Sequence, residues 1–162
     1  MYKMIFYMML CVVWTMLMAL QTDEEAAVQV LFEGKRGVNR AAHAAAQQLD
    51  EAKLAQGIVS IDEEEALRVA KQYLQKNLRL DEQLHPLTGT MLEDEVELLL
   101  FEVINETYSF PYTYRAPEYN YSVTLQKPGV VMVIGVQYPR AFRLLEPIEW
   151  EIKGASELVF PY

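Results

Sequence analysis

Residues 4–20 read MIFYMMLCVVWTMLMAL, and the chain continues through QTDEEAAVQVLFEGKRGVNRAAHAAAQQLDEAKLAQ at 21–56 without a proline. In the first stretch only Thr15 is clearly polar. As a helix its 17 residues span about 25 Å at roughly 1.5 Å per residue. A hydrocarbon core is about 30 Å thick and takes roughly 17–25 apolar residues. With Met1 and Tyr2 added, the segment is within range. In the second stretch Ala27, Leu31, Gly34, Val38, Ala41, Ala45 and Ala52 recur at steps of four and three, the period of one helix face. Extended backward, the stripe meets Leu20, Leu17, Val13, Leu10 and Phe6. The pattern therefore predicts one long helix from Met4 to Gln56, about 80 Å, stopped by Gly57 at a C′ position.

Working outward, the flanks give this helix a direction. Lys3 precedes it and Asp23-Glu24-Glu25 follows it. Positive charge stays inside, so the expectation is a single-pass protein of the cell membrane, N terminus cytoplasmic and C-terminal domain outside. Tyr2 suits the inner interface. A retained signal anchor over 1–22 is the leading reading. A cleaved signal peptide and a buried core helix are the alternatives. Signal-peptide apolar regions are shorter, about 7–15 residues, and Leu17-Met18-Ala19 is a weak cleavage site. Leu10 before Cys11 argues against a lipoprotein, which leaves Cys11 as an apolar thiol in the membrane.

The chain has 162 residues (18.7 kDa), enough for one domain beyond the anchor, over 23–162. Its 52% hydrophobic content is high because six of its eight methionines lie in Met1–Met18. Setting Lys3 aside leaves 13 basic residues against 23 acidic ones, a net −10. No nucleic-acid partner is expected, since phosphate neutralisation needs clustered Lys and Arg. One cysteine excludes an internal disulfide framework.

Downstream, Ser60-Ile61-Asp62-Glu63 has capping-box spacing, and Asp62 can itself cap. Leu67, Ala70, Leu74 and Leu78 continue a second, amphipathic helix to about Leu78. Residues 81–94 read as a loop. Strand patterns follow at Glu95–Asn105, Tyr121–Gln126, Val130–Tyr138 and Ile148–Lys153. The second and third flank Lys127-Pro128-Gly129 and read as an antiparallel hairpin. Ile148, Trp150 and Ile152 alternate onto one face, and that strand can run on past Gly154. The expectation is an α+β fold: a long helix, a second helix and an antiparallel sheet of about four strands.

The apolar N-terminal helix, together with Phe32-Glu33-Gly34-Lys35-Arg36-Gly37-Val38-Asn39-Arg40-Ala41-Ala42-His43-Ala44-Ala45-Ala46-Gln47, resembles the TadE/TadG-type minor pseudopilin-like proteins of the Tad (tight adherence) pilus system. The segment Asp62–Asn77, with Ala66 and Ala70, is similar to that family's second helix. The resemblance covers about half the chain. It implies a membrane-anchored envelope protein that assists assembly of a pilus or secretion apparatus, and it implies no catalytic residues.

No phosphate loop, nucleophile elbow or His-Glu-x-x-His pattern occurs. Neither His43, inside the alanine run, nor His85, before Pro86, has a nucleophile beside it in sequence, and both read as surface or structural residues. No enzyme activity, metal or cofactor is expected, and no small-molecule ligand. Candidate protein-contact residues fall into two groups. Glu24, Gly34, Val38, Ala41 and Ala45 lie on the helical stripe, which faces either the chain's own sheet or a neighbouring subunit. Tyr108, Phe110, Tyr112, Tyr114, Tyr119 and Tyr121 form an aromatic cluster. It either packs on a sheet edge or binds a partner, the second being the alternative reading of a ligand-binding module.

Overall fold

The computed structural model describes residues 2–92, 94–140 and 146–159. Helix α1 runs Tyr2–Ala46 as 45 unbroken residues, about 68 Å at 1.5 Å each. A four-residue helix α2, Glu51–Leu54, and helix α3, Glu63–Leu78, follow. Five strands complete the fold: β1 Glu97–Ile104, β2 Tyr112–Ala116, β3 Tyr121–Leu125, β4 Gly129–Tyr138 and β5 Ile148–Glu157. The α+β class is as expected; strand β2, the division into two sheets and the strand pairing are not.

Strands β1, β4 and β5 form one antiparallel sheet in that order, and β2 and β3 form a separate two-stranded ribbon. The expected hairpin between Tyr121–Gln126 and Val130–Tyr138 does not form. β3 turns back on β2, Tyr112 opposite Leu125 and Ala116 opposite Tyr121. β4 pairs instead with β1 and β5. The reason lies in β4 itself: Val130, Val131, Met132, Val133 and Ile134 are all completely buried. Such a run needs cover on both faces and partners on both edges. A hairpin with β3 supplies neither.

Three layers result. Met132, Ile134 and Val136 of β4 join Ala27, Val30, Val38 and Ala41 of α1 and Leu74 and Leu78 of α3 in the main core. Val131 points the other way, into a smaller core with Ile104 and Leu125, against which Phe110, Tyr112, Tyr114, Tyr121 and Val123 pack. The helices cover one face of the sheet, and the β2–β3 ribbon covers part of the other.

Small residues let the helix come close. A Cβ on Gly154 of β5 would lie 2.5 Å from Cγ1 of Val38, and one on Gly34 would collide with Ile152. The helical stripe read from sequence is therefore filled from within the chain. Gly34, Val38, Ala41 and Ala45 are buried against its own sheet and second helix. As contact residues for a neighbouring subunit they are corrected accordingly: nothing can reach them in the folded head.

The long helix ends ten residues earlier than its pattern suggested. After Ala46 the backbone turns, because Gln48 and Asp50 pair with a returning segment: Asp62 N–H donates to the Gln48 carbonyl (2.8 Å) and Asp50 N–H to the Ser60 carbonyl (3.0 Å). Asp50 then caps α2 by accepting from Lys53 N–H (3.0 Å). Gly57, at φ +80°, follows this short helix rather than α1. The α3 cap is Asp62, accepting from Glu65 N–H at 3.0 Å. Buried Asn105 clamps the return by accepting from Ile61 N–H (2.8 Å) and donating to the Ile61 carbonyl (3.0 Å).

Replacing Gly154 with alanine should lower unfolding stability by about 1–3 kcal/mol through overpacking. The matching change at Gly135, where a Cβ finds neighbours no nearer than 3.4 Å, should stay within about 0.5 kcal/mol. Urea titration of both variants decides this; equal losses would refute the tight helix–sheet contact.

Candidate functional site

The membrane-length helix is the first functional element. Fourteen large apolar side chains from Tyr2 to Met18 stand exposed, Met4 at 72% and Trp14 at 64% among them. Burying each fully is worth about 1.5–3 kcal/mol, so the set represents on the order of 20–40 kcal/mol. This is one helix long and apolar enough to cross a membrane, and none of its apolar window is buried in the fold.

Where that helix enters the head, charge is concentrated. Asp23 is 4% exposed and accepts a hydrogen bond from the Tyr138 hydroxyl at 3.2 Å. Burial, then the Asp23 carboxylate, pushes the Tyr138 phenol above its ordinary value, so at neutral pH it keeps the proton it donates. Arg140 donates to Glu24 at 2.8 Å and lies 3.9 Å from Asp23. The expectation for Glu24 changes with this. Glu24 is exposed and pairs with an arginine of its own chain, whereas Asp23 is the acid on the buried stripe. Asp23 sits four residues before Ala27, so the helical period already pointed to it. Its partners Tyr138 and Arg140 are more than a hundred residues away and carried no local signal.

The aromatic cluster turns inward. Tyr112, Tyr114 and Tyr121 face the sheet from the β2–β3 ribbon, while Thr113, Arg115, Ser122 and Thr124 alternate outward. Burial pushes the phenols of Tyr114 and Tyr121 up. Tyr119 donates to the Leu99 carbonyl at 3.2 Å, and Tyr108 stacks on Tyr112 at 4.4 Å between centroids. Of the six residues only Tyr108 is exposed. The other five are partly buried.

The ribbon covers only part of the sheet's outer face. Over the rest lies an open groove of about 820 Å³, lined by Leu99, Gly135 and Gln137 and rimmed by carboxylates. Five of these, Asp94, Glu95, Glu97, Glu149 and Glu151, stand against one lysine, Lys153. The sequence reading missed this groove, because it is made by three strands that are distant in the chain.

Among the described residues, no group of atoms resembles a nucleophilic centre. Lys53 reaches Ser60 Oγ at 3.2 Å, but it also donates to Glu106 at 2.7 Å. That bond holds the Lys53 ammonium above its ordinary pKa, so Lys53 stays protonated and cannot serve as a base. His43 Nδ1 lies 3.2 Å from Ser156 Oγ. His85 stands 3.7 Å from both Asp81 and Glu95. Among the described residues, no set of His, Cys, Asp and Glu side chains could hold a metal ion.

Two outcomes follow. Bonds from Lys53 and Ser60 hold the Glu106 carboxyl at about 2, below its ordinary 4.5. A depressed carboxyl stabilises the fold above its unfolded value and loses that contribution as pH falls toward its folded one. The melting temperatures of wild type and E106Q should therefore differ at pH 6 and converge between pH 4.5 and 2; a constant gap would refute the linkage. Deleting Ser109–Asn120 should unfold the head, read as loss of near-ultraviolet circular dichroism. Survival of the fold would show that the ribbon is dispensable.

Neither a known family model, nor a curated protein, nor a solved structure matches the chain.

Proposed function

We propose that this chain is a non-enzymatic, single-pass envelope protein that assists assembly of a pilus or secretion apparatus, in the manner of the TadE/TadG-type proteins it resembles. One observation carries the reading. A single uninterrupted helix has a first half of wholly exposed apolar surface and a second half packed along one face into an α+β head. A signal peptide needs no such rigid continuation, while a scaffold that must hold its head at a fixed height above a bilayer does. The Asp23–Tyr138 and Glu24–Arg140 contacts support the reading, since they tie the head to the helix within one turn of the apolar segment.

Orientation follows from Lys3 on one flank and Asp23, Glu24 and Glu25 on the other. The N terminus lies in the cytoplasm and residues 23–162 outside. The role is mechanical: to hold the head and offer protein surfaces to the apparatus.

Alkaline carbonate washing of native membranes, followed by intact mass measurement, tests this. The expected result is full-length chain in the pellet. An alkaline phosphatase fused after Tyr162 should be active, as it is only outside the cytoplasm. Release by the wash of a chain beginning after Ala19 would overturn anchoring, and an inactive fusion would overturn the orientation.

A further inference from the structure

The outward face of α1 is the other unpartnered surface of the head. Val28 and Phe32 are 47% and 58% exposed, and Arg36 follows one turn later. Spaced by four residues, the three share one side of the helix, opposite the buried stripe. The acidic groove lies on the far face of the sheet, so the two surfaces are on opposite sides of the layered domain.

They stand at the same height above the apolar segment. Asp23 meets Tyr138, Val30 joins Val136 in the core, and Gly34 abuts Ile152. Residues 28–36 of the helix are therefore level with Gly135 and Gln137 of β4 and Glu149 and Glu151 of β5, which line the groove. Their chemistry matches as well. Two apolar side chains face a furrow lined by Leu99 and Gly135. A guanidinium faces a rim of five carboxylates and one lysine.

We infer that the groove receives the Val28–Phe32–Arg36 face of a second copy of this chain. The inference rests on the anchored reading above, because anchors in one bilayer hold copies parallel and level and raise their effective concentration. Each copy uses different surfaces for its two neighbours, so the contact is heterologous and builds rows or rings rather than closed pairs. Phe32 lies over Gly135 of the neighbour, and Arg36 pairs with its Glu149 and Glu151.

The test uses the full chain in native membranes with Cys11 changed to serine. F32C and G135C, introduced together, should give a ladder of disulfide-linked species under a mild oxidant. Peptide mapping should find 32–135 linkages, since a disulfide requires Cα atoms within about 7 Å. In that background R36E should lower the yield at least fivefold, and E149R with E151R should restore it to within twofold. Linkage only between two copies of residue 32 would overturn the proposal in favour of a symmetric helix pair. No linkage, or no response to the charge exchange, would also overturn it. Carbonate washing of the same membranes separates the two readings: retained chain without linkage refutes the docking alone, and released chain refutes the anchor.

Discussion

Close approach of α1 to the sheet, with Gly34 and Ala41 on the helix and Gly154 on β5, sets where every other element can lie. The helix is the longest rigid body in the chain. It fixes one face of β4 and β5 and one side of α3. Because those contacts seat Ile152 on Gly34 and Val38 on Gly154, they permit little sliding: shifting the helix by one residue would set a side chain where each glycine now leaves room. Interiors packed to this density resist such shifts. The remaining layer, the β2–β3 ribbon, completes the cover of β4 on its other face.

One helix thus changes character along its length. Up to about Leu20 its whole circumference is apolar, which suits a surrounding hydrocarbon phase. From Asp23 it becomes amphipathic, with one face in the head. Asp23, Tyr138, Glu24 and Arg140 form the polar collar at that change. A buried carboxylate is tolerated there because a phenol and a guanidinium face it, which offsets the desolvation its position imposes.

The tyrosine-rich segment shows how composition misleads about exposure. Six aromatics within fourteen residues resemble a binding surface. Alternation along β2 and β3 instead points Tyr112, Tyr114 and Tyr121 into the sheet and threonine, arginine and serine into water. The pattern of two was present in the sequence, but without knowing that β3 pairs with β2, nothing said which face was covered. The Lys127-Pro128-Gly129 turn was equally ambiguous. It joins the ribbon to the three-stranded sheet rather than closing a hairpin.

Local patterns in the sequence located most of the elements, though not β2 or the short helix α2. Apolar run length marked a helix long and apolar enough to cross a membrane, a 3.6-residue period marked its buried stripe as far as Ala45, and alternation found β5 with Ile148, Trp150 and Ile152 on one face. These are properties of residues near one another in the chain. The tertiary structure decided what depends on distant partners: that α1 stops at Ala46 because Gln48 and Asp50 pair with Asp62 and Ser60, that β4 is central because both its faces are apolar, and that five carboxylates from two distant segments line one groove. Side-chain periodicity records which face of an element is wet, but which other element dries the opposite face depends on how the whole chain packs.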